Sequence, residues 1–185
     1  MSNAILDVIK TRRSVRTYKS DPLTADQVEI LTRSALSAPS AMNLQPWRII
    51  ATQNQELLLE MERDVVDFFV KTDNTQAINM LKAKNNHIFY GAPLVIFIPI
   101  SGDGYSQLDA GIVVQTIALA ATSMGLGSVV LGFPAMVFSS DKADYWKEKL
   151  RFPEGYRLGI SIAIGYANDE GQQHPIDPDK IIIIE

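Results

Sequence analysis

Residues 108–124 constrain the fold of this chain more than any other segment. They have the length of a long helix and carry a single charged side chain, that of Asp109. A helix that is apolar on nearly all sides is buried, either in a core or in a subunit interface. Its most apolar part, residues 111–121, is far shorter than the roughly 20 residues that cross a bilayer. We therefore expect a protein built around this helix, with no membrane span.

The cysteine and charge counts exclude several classes of protein. Cysteine is absent, which rules out disulfides, a thiol nucleophile and zinc or iron–sulfur sites held by cysteine. The 17 basic and 21 acidic residues give a formal net charge of −4, whereas nucleic-acid-binding proteins usually carry a basic excess. The N-terminus has no signal-peptide pattern, so the cytoplasm is the expected compartment. Residues 1–185 are expected to form one domain.

Helical and strand patterns alternate along the chain in uneven blocks. Apolar spacing predicts helices at 5–11, from Thr24 to the residue before Pro39, after Asn54, at 108–124 and at 140–150. Thr24 and Gln27 fit a capping box, Asn54 is expected to cap the third helix, and Ser139 or Ser140 is expected to cap the helix at 140–150. Apolar runs predict strands at 47–52, 93–100, 128–131, 156–166 and 181–184. Residues 71–90 are polar and are expected to combine some helix with a loop. The uneven blocks favour an α+β fold over a doubly wound nucleotide-binding fold.

The first motif that could carry chemistry is RRSVR at residues 12–16. Guanidinium groups bind phosphate through two parallel hydrogen bonds and keep their charge near neutral pH. On a chain that is acidic overall, three arginines and a serine therefore indicate a local anion site. The alternative is a solvated basic turn that offsets the C-terminal dipole of the first helix.

The second motif is APSAMNLQPW at residues 38–47, between a predicted helix and a predicted strand. Pro39 and Pro46 make the segment rigid. The amides of Asn43 and Gln45 both donate and accept hydrogen bonds, which suits a flat heterocycle with alternating C=O and N–H groups. The alternative is an ordered turn whose amides bond its own backbone.

The third motif, GLGSVVLG at residues 125–132, is neither a dinucleotide fingerprint nor a P-loop. Gly125 and Gly127 are expected to end the long helix, and Gly132 allows close approach of backbone to a planar ligand. Metal and acid–base sites have little support. The chain has only two histidines, of which His87 is expected on the surface, and its acidic residues are expected on solvated helix faces.

Together and in this order, the three motifs resemble those of the FMN-dependent nitroreductase family. The family pattern opens with an RRSxR-type motif, continues with PS-x-x-N-x-QPW, and later has a long helix that leads into GLGS. The resemblance covers nearly the whole chain. It implies an α+β nitroreductase-like sandwich, with helices around a central mixed or antiparallel sheet. It also implies an intertwined homodimer that holds two FMN molecules at its interface, with residues 181–184 adding a strand to the partner's sheet.

The resemblance assigns roles to the arginine motif. Arg12 and Ser14 would hold the FMN phosphate, and Arg13 would lie along the phosphate and ribityl chain. Arg16 would reach the pyrimidine edge of the flavin near N1 and O2. Reduced flavin carries negative charge there, so a fixed cation favours the reduced form.

The resemblance also assigns contacts to the flavin ring. Asn85, or its neighbour Asn86, would bond the pyrimidine side of the ring. Backbone at Leu131 and Gly132 would face N5. Four residues would come from the partner subunit and contact the ring and ribityl: Pro39, Ser40, Asn43 and Gln45.

The activity implied by the resemblance is that of an FMN oxidoreductase. NADH or NADPH would transfer a hydride to flavin N5, and a nitroaromatic, a quinone or another small electrophile would then take the electrons in a ping-pong order. Hydride transfer itself needs no protein acid or base. The alternative is an FMN-binding protein with little turnover, used for storage or sensing. The expected partners are a small-molecule substrate and a second copy of the chain, with no nucleic acid and no membrane.

One departure from the family pattern concerns the phosphate site. Family members usually have a Lys/Arg pair after the last core strand, but here residues 167–175 contain neither. Either Lys180 or His174 substitutes, or the phosphate rests on the N-terminal arginines alone. We therefore expect this chain to retain FMN less tightly than family members that have the pair.

Overall fold

The computed structural model describes residues 3–83, 85, 87–102, 104–169 and 171–184. Its centre is a four-stranded antiparallel sheet with the strand order β1-β2-β4-β3. The strands are Ile50–Thr52 (β1), Leu94–Ile100 (β2), Gly127–Leu131 (β3) and Arg157–Gly165 (β4). Parallel pairing within the described part is confined to an isolated bridge between Ser14 and Ser128. The α+β class is confirmed, with an antiparallel rather than a mixed sheet.

Six α-helices surround the sheet in the described part of the chain. They are Ala4–Thr11 (α1), Ala25–Leu36 (α2), Gln55–Lys71 (α3), Thr75–Lys82 (α4), Tyr105–Ser123 (α5) and Ala143–Lys149 (α6). The predicted caps at Thr24 and Asn54 are confirmed, since each side chain accepts a backbone N–H of the first turn. The predicted cap of α6 is wrong. Ser140 Oγ instead accepts the N–H of Lys142 in a turn that precedes the helix (3.1 Å).

The two faces of the sheet are covered by different helices, and side chains alternate between the two faces along β2. Leu94, Ile96 and Ile98 pack with α2 and α5. Val95 and Phe97 pack with α3, α4 and α6. The sequence prediction of a fully buried strand is confirmed along the whole of β2. The result is a helix–sheet–helix sandwich, in which α5 packs against β2, β3 and β4.

Helix α5 is buried along most of its surface, but one stripe faces outward. Val113, Ile117 and Ala121 are fully buried against the sheet. On the opposite side, Tyr105 and Leu108 are 68% and 64% exposed. The helix, whose one charged side chain is the buried Asp109, therefore has a core side and a largely apolar side that nothing in the described part of the chain covers. None of the described helices combines the length and hydrophobicity needed to cross a bilayer.

Two strand predictions, at residues 47–52 and 181–184, need correction. At residues 47–52 the strand begins only at Ile50, and Trp47 contributes a single bridge to Ile100. Residues 181–184 form no strand with the described sheet of their own chain, and all four isoleucines are exposed. An isolated extended segment has no hydrogen-bonding neighbour, so apolar β-forming residues alone do not make a strand.

Two acidic residues on α3 are buried, against the expectation that acidic residues lie on solvated faces. Asp64 accepts a hydrogen bond from Trp146 Nε1 (2.9 Å) and pairs with Lys142 Nζ (2.5 Å). Glu62 is bonded to His87 and to the backbone of Phe89. Both carboxylates are satisfied internally, which is the condition for burying a charge.

Replacing Trp146 by phenylalanine tests the network around Asp64. Trp146 is fully buried, and the change removes its one N–H donor while it keeps a large apolar ring. We expect the free energy of unfolding to fall by about 2 kcal/mol, because a buried carboxylate loses a hydrogen bond. Tyr145→Phe is the control, since Tyr145 is exposed and its bond to Glu60 lies at the surface. Urea unfolding checks both variants, and equal losses would contradict the account.

Candidate active site

The arginine motif is fixed to the sheet by the backbone that carries it. Val15 N–H donates to Ser128 O (3.0 Å), and Lys19 N–H donates to Tyr166 O (2.9 Å), so the segment runs from β3 to the end of β4. A Cβ on Gly127 would lie 2.7 Å from a methyl group of Val15, so only glycine permits this close approach. Tyr18 completes the attachment by donating to Val15 O (2.8 Å), and burial raises the pKa of its phenol.

The three arginines of the motif make no ion pair with any carboxylate in the described part of the chain. Arg13 Nη1 donates to the backbone carbonyls of Lys10 (2.6 Å) and Arg12 (3.1 Å), at the C-terminus of α1. The helix-capping alternative therefore describes Arg13 well. Arg12 is half-buried and Arg16 is exposed, and both keep their guanidinium charge available for an anion.

Arg16 and Asn85 line the same cavity, although they lie far apart in the sequence. The cavity has a volume of about 390 Å³, and His87 and Tyr90 also line it. These are the two side chains that the family resemblance assigns to the pyrimidine edge of a flavin. Asn86, the other candidate for that contact, lies outside the described residues.

Leu131 and Gly132 line an adjacent cavity of about 480 Å³. Its described lining carries no charged side chain, and Phe69 and Phe133 meet there edge to face with ring centroids 5.7 Å apart. Tyr90 lines both cavities, which makes the two spaces neighbours. Nothing lies within 4 Å of a Cβ built on Gly132, so a flat ligand has room to approach that backbone.

The amide loop, defined here as residues 39–45, is held by hydrogen bonds between its own residues. Gln45 N–H donates to Ser40 Oγ (2.9 Å), and Gln45 Nε2 donates to Asn43 Oδ1 (3.0 Å). Asn43 and Gln45 adopt positive φ angles of 55° and 46°. Pro39 is exposed and Ser40 half-buried. The loop is anchored by Asp109, a buried residue of α5 whose Oδ1 accepts Ala41 N–H (3.1 Å).

The amide loop and the arginine motif lie at opposite ends of α5. Asp109 anchors the loop near the start of the helix. Thr122 lies near its end and lines a cavity together with Arg13 and Gly127. At a rise of 1.5 Å per residue, Asp109 and Thr122 are about 20 Å apart along the helix axis. The structure therefore brings together the arginine motif, Asn85, Leu131 and Gly132, but it does not bring the amide loop to them.

The loop after β4 contacts the arginine motif, but it offers no cation there. A Cβ on Gly171 would lie 3.1 Å from Arg13 Cβ, and Asn168 N–H donates to Thr17 O (3.0 Å). The charged side chain that reaches the segment is Asp169, whose Oδ2 accepts the hydroxyl of Thr17 (2.5 Å). Nothing in the described contacts links Lys180 or His174 to residues 12–16. Their recorded partners are Asp177 and the Pro175 carbonyl.

Three features of the site were missed by the sequence predictions. Tyr90 joins the two cavities, Asp109 anchors the amide loop, and Glu62 orients His87. A signal existed for Glu62, which follows the buried Leu58 by four residues and so falls on the same face of α3. His87 lies on the surface as expected, and its ring is also bonded to Glu62. Tyr90 and Asp109 contact elements that are distant in sequence, so no local pattern identifies them.

Comparison with known proteins identifies the class. The sequence profile of the nitroreductase family matches residues 9–166. A protein of Archaeoglobus fulgidus, provisionally named an NADH dehydrogenase/NAD(P)H nitroreductase, is 30% identical over 181 residues that cover 95% of each chain. The chain therefore belongs to the nitroreductase family.

Solved structures of similar proteins agree with this assignment. A nitroreductase with bound FMN from Desulfitobacterium hafniense is 37% identical, with a TM-score of 0.96 and full coverage of both chains. An FMN-dependent nitroreductase from Clostridium difficile is 28% identical, with a TM-score of 0.86 and again full coverage of both chains. The fold of the chain is thus shared with proteins that bind FMN or depend on it.

Proposed function

We propose that this chain is an FMN-dependent oxidoreductase that works as a homodimer and reduces small electrophiles with electrons from NADH or NADPH. The observation that carries the proposal is a continuous strip of surface. It runs from Arg12 and Arg16, which form no ion pair with any described carboxylate, through the cavity that Arg16 and Asn85 line, to the apolar cavity at Leu131 and Gly132. A strip with cations at one end and an apolar recess at the other matches a cofactor with a phosphate and a flat ring.

The phosphate end of FMN fits the arginine motif. The Arg12 guanidinium and the Ser14 hydroxyl would donate to the phosphate, and the charge of Arg13 lies beside them although its Nη1 bonds the end of α1. Because the loop after β4 supplies Asp169 rather than a cation, the phosphate would rest on the N-terminal motif. This supports the expectation of weaker FMN retention than in family members with a basic pair.

The ring end fits the two adjacent cavities. Arg16 would place a fixed cation at the pyrimidine edge, and Asn85 would add a hydrogen bond there. The backbone at Leu131 and Gly132 would lie near N5, and the uncharged cavity beside it would take a flat acceptor and exclude water from the reacting face.

The amide loop would be supplied by a second copy of the chain. In one chain, Asn43 and Gln45 are held at the far end of α5 from the arginine motif, and so cannot contact the same ligand. A two-fold dimer that pairs the exposed side of α5 in antiparallel fashion, with its axis beside Ile112 near the middle of the helix, would bring the start of each helix to the end of its partner. Such a pairing also covers apolar surface that would otherwise face water.

Bound FMN would supply the redox chemistry, accepting a hydride from the nicotinamide at N5 and passing two electrons to a nitroaromatic, a quinone or a similar acceptor. Nicotinamide and acceptor would use the same apolar cavity in turn, which is a ping-pong order. The chain itself would bind and orient these molecules, and Arg16 would stabilise negative charge near N1 and O2. No side chain is required to act as an acid or a base for the hydride step.

The proposal is tested by an anaerobic absorption experiment on the purified protein. After incubation with FMN and passage through a desalting column, we expect yellow flavin bands to travel with the protein and to bleach on addition of NADH or NADPH. Bands that travel but do not bleach with either nicotinamide would favour an FMN-binding protein with little turnover. If no FMN travels with the protein and titration with FMN detects no binding, the cofactor assignment is contradicted.

A free-FMN dissociation constant well below micromolar would contradict the weak retention expected from the missing basic pair.

A further inference from the structure

The pair formed by Glu62 and His87 has no role in the function proposed above. The Glu62 side chain is 8% exposed, and both of its oxygens are engaged. Oε1 accepts the N–H of Phe89 (3.0 Å), and Oε2 lies 3.0 Å from His87 Nδ1. A carboxylate anchored in this way orients the imidazole and favours the tautomer with its proton on Nδ1.

His87 lies between two cavities and remains accessible to water. With Asn85, it lines both the cavity that contains Arg16 and a second cavity of about 330 Å³ beside α3. Its side chain is 48% exposed, so the ring is open to solvent. Because Nδ1 faces Glu62, Nε2 is the nitrogen at which the ring gains its second proton and its positive charge.

The charged and titratable groups around His87 come from three parts of the chain. Glu62 Oε2 lies within hydrogen-bond distance of the ring. Lys84, close in sequence, lies outside the described residues. The charged or titratable side chains that line the two cavities with His87 are Glu62, Arg63 and Asp67 from α3, Arg16 from the arginine motif, and Tyr90.

We infer that His87, oriented by Glu62, is a switchable cation at the pyrimidine end of the flavin, where it adds to the fixed charge of Arg16 when its ring is protonated. The inference rests on the proposed function, because it places FMN in the cavity that Arg16 and Asn85 line. Reduced flavin carries negative charge at that end. A protonated His87 therefore favours reduced FMN over oxidised FMN, and a neutral His87 does not.

The direction of the pH dependence follows from the charge of imidazole. Imidazole changes charge between about pH 5 and pH 8. At the acidic end of this range the ring adds a positive charge to the cavity, and at the alkaline end that charge is lost. Charges separated by about one cavity width near a protein surface, screened by water and salt, shift a binding equilibrium by roughly three- to tenfold.

The test compares the binding of oxidised and chemically reduced FMN, not turnover. Dissociation constants for both forms are measured anaerobically at about pH 6 and pH 8.5, on either side of the imidazole range, for the wild type, His87→Gln and Glu62→Gln. His174→Gln is the matched control, because His174 is the only other histidine and bonds the Pro175 carbonyl in an exposed segment. Glutamine at position 87 can still donate to Glu62, so the local hydrogen bond survives.

We expect His87→Gln to lower the preference for reduced FMN roughly three- to tenfold at about pH 6 and to match the wild type at pH 8.5. Glu62→Gln should change the preference in the same direction, since it removes the charge that favours the imidazolium. His174→Gln should follow the wild type at both pH values. If FMN binds but His87→Gln and the wild type agree at both pH values, the inference is wrong and the proposed function stands. If the wild type binds no FMN, the proposed function fails, and the inference fails with it.

Discussion

Mixing two variants that each fail to retain FMN is expected to restore one FMN site per dimer. The first variant, Arg12→Gln with Arg16→Gln, removes the cations of the arginine motif. The second, Asn43→Gly with Gln45→Gly, removes the amides but suits the positive φ angles of both positions, 55° and 46°. In a two-fold dimer of one chain of each kind, one site combines an intact motif with an intact loop, and the other site combines both defects.

The measurement is the FMN content of heterodimers isolated with two different affinity tags. The homodimer of the first variant loses two charge-assisted contacts, and the homodimer of the second loses the ring contacts of the two amides. Each homodimer is therefore expected to bind FMN at least about 100-fold more weakly than the wild type. The heterodimer should hold about one FMN with near-normal affinity. A heterodimer that forms but binds no FMN would show that each site lies within one chain. A wild type that binds FMN as a monomer would contradict the shared site directly.

Replacing Gly127 by alanine is expected to weaken FMN binding while the sheet stays folded. The added Cβ would lie 2.7 to 3.0 Å from the Cγ2, Cβ and Cγ1 atoms of Val15. Valine is stiff at χ1, so the segment carrying the arginines must move away from β3. Overpacking of this kind costs about 1–3 kcal/mol, which corresponds to a loss of about fivefold or more in FMN affinity if the motif absorbs the displacement. Titration of the apoprotein with FMN measures the effect.

The double variant Gly127→Ala with Val15→Ala separates displacement of the motif from general damage to the sheet. Removing both methyl groups of Val15 relieves two of the three close contacts and leaves the Cβ–Cβ distance of 2.9 Å, so we expect FMN affinity to recover part of the lost factor. Val15→Ala alone should lower the free energy of unfolding by about 1–2 kcal/mol and leave FMN affinity close to the wild type. If the double variant binds FMN no better than Gly127→Ala, displacement of Val15 is not the cause of the loss.

The architecture could be predicted largely from local patterns. The apolar run that becomes β2 and the capping box at Thr24 are local signals, and both are confirmed. The strand at 181–184 was predicted from the same kind of signal, but no strand forms there in the described chain. A strand needs a hydrogen-bonding neighbour, and this is a property of the assembly rather than of four isoleucines.

The site could be predicted only in part, because its residues meet across large sequence separations. The resemblance to a family pointed to Arg16 and Asn85, and the structure places both on one cavity. Asp109 and Tyr90 were not foreseen, since their roles depend on packing between elements that are distant in the chain. The same limit applies to Glu62, although its helical spacing already placed it on a buried face.

The anchoring of the amide loop at the far end of α5 has a thermodynamic consequence. If each cofactor site needs groups from two chains, FMN binding and subunit association are linked, and each strengthens the other by the same factor. Dilution of the protein would then release cofactor, and excess cofactor would hold the chains together. The flavin would therefore stabilise the association of the two chains as well as carry electrons.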